Sequence, residues 1–213
     1  MRLDPYFFHI PGGITKTTCE EIIEYGKREG PMLAKTEASE TFLSEEEKKF
    51  HSEEIRENNV VWINDFWIFN LVGVLIKYAN SRKWNFTSTK FEDAQFTEYF
   101  PGGHYNWHRD CATFGPNDIN SGLERKLSCV VQLSKPEDYE GGEFSFNLRG
   151  LDSRSSDTVL KPPKTFREQG SVIVFPSFLW HKVEPITKGK RYSMVMWTLG
   201  EQFKWHYIKK NIK

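Results

Sequence analysis

From residue 90 onward the chain reads as short extended runs separated by Gly, Pro and Asn turns, and this pattern restricts the fold more than any other feature. Eight runs can be placed, near 91–99, 104–109, 127–134, 142–147, 157–161, 171–176, 180–185 and 191–199. Many short strands with turn signals make a sandwich or a barrel, and eight fit a double-sheet jelly roll. One run sharpens this. In Leu127-Ser128-Cys129-Val130-Val131-Gln132-Leu133 the odd positions are all apolar, whereas the even positions are Ser, Val and Gln. A sheet covered on both sides is apolar on both faces, so the small polar face either lines a cavity inside a barrel or meets water.

The first part of the chain reads differently. Residues 6–14 form an extended entry ending at Pro11-Gly12-Gly13. Thr17-Thr18-Cys19-Glu20 has the form of a capping box, with Thr17 as N-cap and Glu20 at N3. It opens a helix carrying Ile22, Ile23 and Tyr25 that stops near Gly30-Pro31. Residues 32–59 are polar and acidic; Ser44-Glu45-Glu46-Glu47 repeats the capping pattern, so this stretch is either a surface helix or a solvated loop. The clearest helix runs from Asp65 to about Arg82, with Phe69, Val72, Leu75, Ile76 and Ala79 at helical spacing, a face suited to packing against a sheet. The expected fold class is therefore mainly β with supporting α-helices. It is a double-stranded β-helix (a jelly roll of the cupin type) with N-terminal helices packed on one sheet. The expected organisation is one domain over 1–213: helical support over 1–89, the jelly-roll core over 90–200, and a basic, solvated tail over 201–213.

Composition narrows the partners. The 213 residues include 17 Phe, 8 Tyr and 7 Trp, ample for a core, and the formal net charge is zero. A neutral chain argues against a phosphate-dominated partner such as duplex nucleic acid. No apolar run approaches the about 20 residues a membrane helix needs. The start, MRLDPYFFHIPGG, lacks a basic residue cluster followed by a long apolar stretch, so a reducing, cytoplasmic setting is the expectation. Cys19, Cys111 and Cys129 form no CxxC pair and suggest no disulfide framework.

The chemistry centres on residues 95–110, QFTEYFPGGHYNWHRD. An extended run ends at Tyr99, turns through Pro101-Gly102-Gly103 and resumes with His108 and Asp110. In a strand, i and i+2 share a face, so an imidazole and a carboxylate can aim at one point. A later histidine, His181, stands at the start of another run. Two His and one carboxylate on a rigid sheet make the facial triad of non-haem Fe(II) oxygenases; zinc would accept the same ligands and imply a hydrolase. Ten residues on, Arg191 and Ser193 share a strand face with Val195 and Trp197, and a planar guanidinium beside a hydroxyl can clamp a carboxylate.

The order His108-x-Asp110, His181, Arg191-x-Ser193 resembles the Fe(II)/2-oxoglutarate-dependent oxygenases. Within them it is most similar to the prolyl 4-hydroxylase-like group. Tyr99, Gly102 and Tyr105 before the His-x-Asp carry that likeness, with Gly141-Gly142-Glu143-Phe144, Gly170-Ser171 before Phe175, and Arg191-Tyr192-Ser193. The resemblance covers about residues 90–200. It implies that His108, Asp110 and His181 bind Fe(II), and that Arg191 holds the distal carboxylate of 2-oxoglutarate, helped by Tyr99 and Ser193. Gln132 would face that co-substrate. Tyr105 and Trp197 would line the pocket near the substrate, and Arg125 lies where some relatives contact a peptide, although an ordinary surface arginine suits that position better. Cys111 would pack beside the site without binding metal. The implied reaction is hydroxylation of an unactivated C–H with O₂, releasing succinate and CO₂, with ascorbate as a possible reductant. The implied substrate is a peptidyl proline in a protein or peptide. The same chemistry on a free amino acid or other small molecule, or a non-catalytic jelly-roll binding module, are the other readings.

Overall fold

The computed structural model describes residues 6–34, 56–111, 114, 118–148 and 158–203. The second capping box, Ser44 to Glu47, lies outside the described residues, as does the basic tail from residue 204. The described residues fold into antiparallel sheets with two α-helices against one of them. The main sheet runs in the order β1 (Phe8–Ile10), β12 (Val172–Pro176), β8 (Leu123–Gln132), β15 (Arg191–Glu201), β6 (Ala94–Tyr99), β4 (Asn59–Ile63) and β2 (Met32–Leu33), with β5 (Lys90–Phe91) paired to the end of β15. A second sheet runs β11 (Val159–Leu160), β10 (Phe144–Asn147), β13 (Trp180–Val183), β7 (His104–His108) and β3 (Arg56–Glu57). A ribbon of β9 (Tyr139–Gly141) and β14 (Ile186–Gly189) completes the jelly roll.

The alternation in β8 decides how the layers stack. Leu127, Cys129 and Val131 are fully buried in the core between the main sheet and the helices, with Ile22, Val72, Ile76, Met194 and Met196. Ser128, Val130 and Gln132 turn the other way, toward the second sheet, and are equally buried. The small polar face therefore lines an interior cavity and does not meet water. A second apolar cluster, including Phe144, Phe146, Ile173 and Phe175, fills the rest of the space between the sheets.

Helix α1 (Lys16–Arg28) starts two residues earlier than expected. Thr15, not Thr17, is the N-cap, its Oγ1 accepting from Thr18 N at 3.2 Å. The cause is tertiary: the Ile14 amide donates to the Gly170 carbonyl at 3.0 Å, which fixes the chain just before the helix and sends Ile14 into the core. Glu20, displaced from the cap, pairs with Lys135 at 3.1 Å. Close packing of α1 needs Gly26, since a Cβ there would stand 2.5 Å from Cγ of Phe96. Helix α2 (Phe66–Lys83) has Asp65 as N-cap, matching the sequence reading within a residue. Its fully buried stripe is Ile68, Val72, Ile76 and Ala79, whereas Phe69 and Leu75 are partly buried at its edge.

The N-terminal part also supplies strands that the sequence reading did not contain. The ends of the polar stretch become β2 and β3, and Val60-Val61-Trp62-Ile63 lies within β4. The chain passes from one sheet to the other at Asn58, which is fully buried and whose carbonyl accepts from the Ala34 amide at 2.8 Å. Among the described residues no helix is long and apolar enough to cross a membrane.

Candidate active site

The turn before β7 comes first in building the site. Gly102 has φ +91°, a left-handed conformation that costs glycine nothing. At Gly103 an added Cβ would stand 2.8 Å from the Phe100 carbonyl oxygen. With the turn closed, β7 lies beside β13 with His108 directly opposite His181. The two imidazoles therefore meet by strand register, with ring centroids 4.1 Å apart.

Asp110 reaches the same point by a different route from the one expected. It does not share a strand face with His108, because β7 ends at His108. Instead the amides of Asp110 and Cys111 both donate to the Ser177 carbonyl, at 2.9 and 3.1 Å. The Ser128 hydroxyl donates to Asp110 Oδ2 at 2.7 Å, and the Ser177 hydroxyl stands 2.9 Å from that of Ser128. Since the Ser128 proton goes to the carboxylate, the Ser177 hydroxyl donates to Ser128. Held this way, Asp110 places Oδ1 3.5 Å from His108 Nε2 and Oδ2 3.5 Å from His181 Nε2. Cys111, expected to pack, is exposed.

Both histidines are oriented from behind. His108 Nδ1–H donates to the Asn106 carbonyl at 2.8 Å and His181 Nδ1–H to the Leu179 carbonyl at 2.9 Å. A carbonyl can only accept, so each ring is fixed with its Nε2 turned toward the carboxylate, the nitrogen free to bind a metal. Tyr105 stacks flat on His108, with centroids 3.4 Å apart and planes 6° from parallel. Phe144 and Phe175 wall in His181. Burial, reinforced by the neighbouring His108, pushes His181 down to about 4, so it is neutral at physiological pH. Burial alone would raise the Asp110 carboxyl, but His181 and His108 outweigh it and hold it below the usual carboxylate range. Two imidazoles and a carboxylate, with ligand atoms within 4.8 Å of one another, fit a divalent cation of the kind that takes N and O donors.

The other expected residues surround the same cavity of about 160 Å³. Tyr99, Tyr105, Arg125, Arg191, Ser193 and Trp197 line it. Arg191 is 1% exposed. Its Nε donates to Gln132 Oε1 at 3.1 Å and its Nη1 to Ser193 Oγ at 3.5 Å, and it lies over the Tyr99 ring at 5.2 Å. Gln132 sits behind the arginine, with Nε2 donating to the Tyr139 hydroxyl at 2.8 Å. Among the described residues no carboxylate pairs with Arg191. Burial raises the Tyr99 and Tyr105 hydroxyls, the latter to about 12, so both are neutral phenols. Arg125 is not the solvent-facing arginine that suited its sequence position. It lies over Trp197 at 3.9 Å and is held by both oxygens of Glu92.

Sequence reasoning missed Arg56, Trp62 and Gln95, which also line the cavity, and Ser177 and Tyr139, which brace it. Ser128 carried a usable signal, its place on the polar face of β8. Arg56 carried none, because it lies in a stretch whose local composition reads as loop.

A jelly roll with two histidines, one carboxylate and a buried arginine around one cavity defines the class of mononuclear non-haem oxygenase folds. The comparisons agree. The model of the 2OG-Fe(II) oxygenase superfamily matches residues 94–199, and the chain belongs to that superfamily. A PKHD-type hydroxylase of Janthinobacterium sp. (strain Marseille) is 37% identical over 102 residues, covering 48% of this chain and 41% of its own. One from Sphingopyxis alaskensis is 32% identical over 121 residues, covering 57% and 50%. The chain thus spans about half the length of the curated relatives it matches. In three dimensions it is similar to a prolyl-4-hydroxylase of Pseudomonas putida, with TM-score 0.62 and 19% identity over 94% of this chain and 95% of that one. The viral collagen prolyl hydroxylase of Paramecium Bursaria Chlorella virus-1, solved as a 2OG complex, also superposes with TM-score 0.62, at 17% identity over 92% and 97%. The fold is therefore that of the prolyl 4-hydroxylase-like oxygenases.

Proposed function

We propose that the protein is an Fe(II)/2-oxoglutarate-dependent dioxygenase that hydroxylates an unactivated C–H, with a peptidyl proline as the substrate. The observation that carries the cofactor half is Arg191. A guanidinium with 1% exposure and no acid partner among the described residues stands in the same cavity as a metal-type triad. A buried cation with only neutral partners is costly unless an anion arrives, and the distal carboxylate of 2-oxoglutarate supplies one. A zinc hydrolase has no use for such a clamp.

His108, Asp110 and His181 would hold the iron. Bound Fe(II) supplies the redox chemistry that couples O₂ and 2-oxoglutarate to hydroxylation, with release of succinate and CO₂. The chain's part is to position and to exclude water. Asp110, fixed by Ser128 and by the Ser177 carbonyl, gives the charged ligand. Arg191 and Ser193 fix one end of the co-substrate, and the neutral Tyr99 hydroxyl can donate to it. Tyr105, Trp197 and Arg125 border the space left for the substrate. The proline assignment is supported by likeness of fold to prolyl hydroxylases, including one from Trichoplax adhaerens solved with a hypoxia inducible factor peptide fragment (TM-score 0.61, 17% identity).

The test is turnover. Purified protein with Fe(II) and ascorbate should convert 2-oxoglutarate to succinate and add one oxygen to a proline-containing peptide. Succinate formation without any hydroxylated peptide would remove the proline half; absence of both across peptides and small molecules would leave a binding module.

A further inference from the structure

Three arginines line the cavity, and Asp110 is the one acid among the described residues that do so. Arg125 is neutralised by Glu92. Arg191 meets the distal carboxylate of the co-substrate, if the function proposed above holds. The charges of the filled site then cancel: a divalent ion, one aspartate, a dianionic 2-oxoglutarate and one guanidinium leave nothing over. Arg56 remains outside this balance.

Arg56 is 9% exposed. Its Nε donates to Asn58 Oδ1 at 3.0 Å, and its guanidinium covers the Tyr105 ring at 4.6 Å. Both partners are neutral. Among the described residues its Nη2 has no partner, and the same holds for the Trp197 Nε1, on a residue that also borders the cavity. Among the described residues the buried orphans lining the cavity are thus two donors and no acceptors. Donors without acceptors call for an acceptor-rich ligand, and a guanidinium in excess calls for a charged one. The position is informative too. Arg56 is the register partner of Tyr105 across β3 and β7, and Tyr105 stacks on the metal-type ligand His108. This cation, without an acid partner among the described residues, therefore stands on the triad side of the cavity, beside the place where a reacting C–H has to lie.

We infer that Arg56 is a specificity-determining residue that recognises a carboxylate on the primary substrate. This rests on the function proposed above and refines it: the substrate is acidic next to the reacting carbon. The carboxylate can come from a free amino acid or chain terminus, or from an acidic side chain flanking the target residue.

The experiment uses the protein loaded with Fe(II) and saturating 2-oxoglutarate under nitrogen, so that Arg191 is occupied and turnover is blocked. Tryptophan emission reads binding, since Trp62 and Trp197 line the cavity. The probes are matched pairs: L-proline against prolinamide, and capped Gly-Pro-Asp and Asp-Pro-Gly against their Asn counterparts. In at least one pair the acid should bind roughly tenfold to a hundredfold tighter than the amide. A winning L-proline identifies a free carboxylate, a winning peptide a side-chain one. Arg56→Gln should abolish the preference and Arg56→Lys should retain part of it, while the affinity for 2-oxoglutarate, measured beforehand without probe, stays unchanged in both. Equal affinity within every pair, or no acid binding at all, overturns the inference. So does an Arg56→Gln variant that loosens 2-oxoglutarate as much as the probe, because Arg56 would then belong to the co-substrate. Failure of the wild-type protein to bind 2-oxoglutarate is seen before any probe is added, and overturns the proposed function and this inference with it.

Discussion

Replacing Arg191 by Met should move stability and ligand binding in opposite directions. In the ligand-free protein the guanidinium is buried and held by Gln132, Ser193 and the Tyr99 ring, with no acid partner among the described residues. Removing an uncompensated buried charge gains several kcal/mol in effective desolvation cost. Against that, Gln132 Oε1 loses its donor, a cost of about 1–3 kcal/mol. The melting temperature of the ligand-free variant should therefore be unchanged or higher. The co-substrate loses two charge-assisted hydrogen bonds of about 1.5–3 kcal/mol each, so its affinity should fall by roughly 10²–10⁴. In the wild type, 2-oxoglutarate at about 100 times its Kd should add about 2.7 kcal/mol. For a chain of this length that raises Tm by roughly 5–10 °C. The assay is thermal unfolding with and without 2-oxoglutarate, with Mn(II) in place of iron to prevent turnover. A variant that melts earlier yet keeps the full 2-oxoglutarate shift would show that Arg191 is structural and would refute the charge argument.

Other outcomes follow from the same geometry. Ser128→Ala removes the 2.7 Å hydrogen bond that fixes Asp110, and should weaken metal affinity about 10–100-fold in a metal titration while leaving activity recoverable at high Fe(II); unchanged affinity would deny Ser128 a positioning role. His181 is held neutral down to about 4, against about 6.5 unfolded, so the unfolded state binds the extra proton between those values. Without metal, stability should be full above about pH 6.5 and fall as pH drops toward 4; a flat Tm between pH 7 and 4 in the presence of chelator would contradict this. Gly26→Ala should cost about 1–3 kcal/mol by overpacking, since its Cβ would stand 2.5 Å from the Phe96 ring; denaturant unfolding reads the loss, and an unshifted midpoint would mean that α1 moves freely on the sheet.

The triad illustrates how much of the site was legible. The spacing of His108 and Asp110 picked out two groups that the structure brings together with His181, but the strand geometry offered for them was incomplete. Ser177 and Ser128 place the carboxylate, and they come from elements far away in sequence. The even face of β8 was readable as cavity wall or wet surface, and nothing within the strand could choose between them. Arg125 read as a surface residue because Glu92, its partner, is remote in sequence and becomes a neighbour only when β5 pairs with β15. Thr17 and Glu20 form an acceptable cap by local rules. A single long-range bond from Ile14 to Gly170 selects Thr15 instead.

What the sequence by itself determined is whatever depends on short-range period and on side-chain chemistry. That covers the run of short strands, the apolar stripe of α2, the turn at Gly102-Gly103, and the two imidazoles, carboxylate and arginine that come to line one cavity. What only the tertiary structure decided is which groups are buried together and which charges remain unpaired. The strand at Arg56 comes from a stretch with no strong local preference, and it forms because a sheet edge and a buried corner at Asn58 satisfy its backbone, whereas Val60-Val61-Trp62-Ile63 carries a β-branched and aromatic signal that the reading passed over. Arg56 thereby becomes a cation inside a cavity. Burial and charge balance are sums over neighbours brought from the whole chain, and no window of sequence contains them.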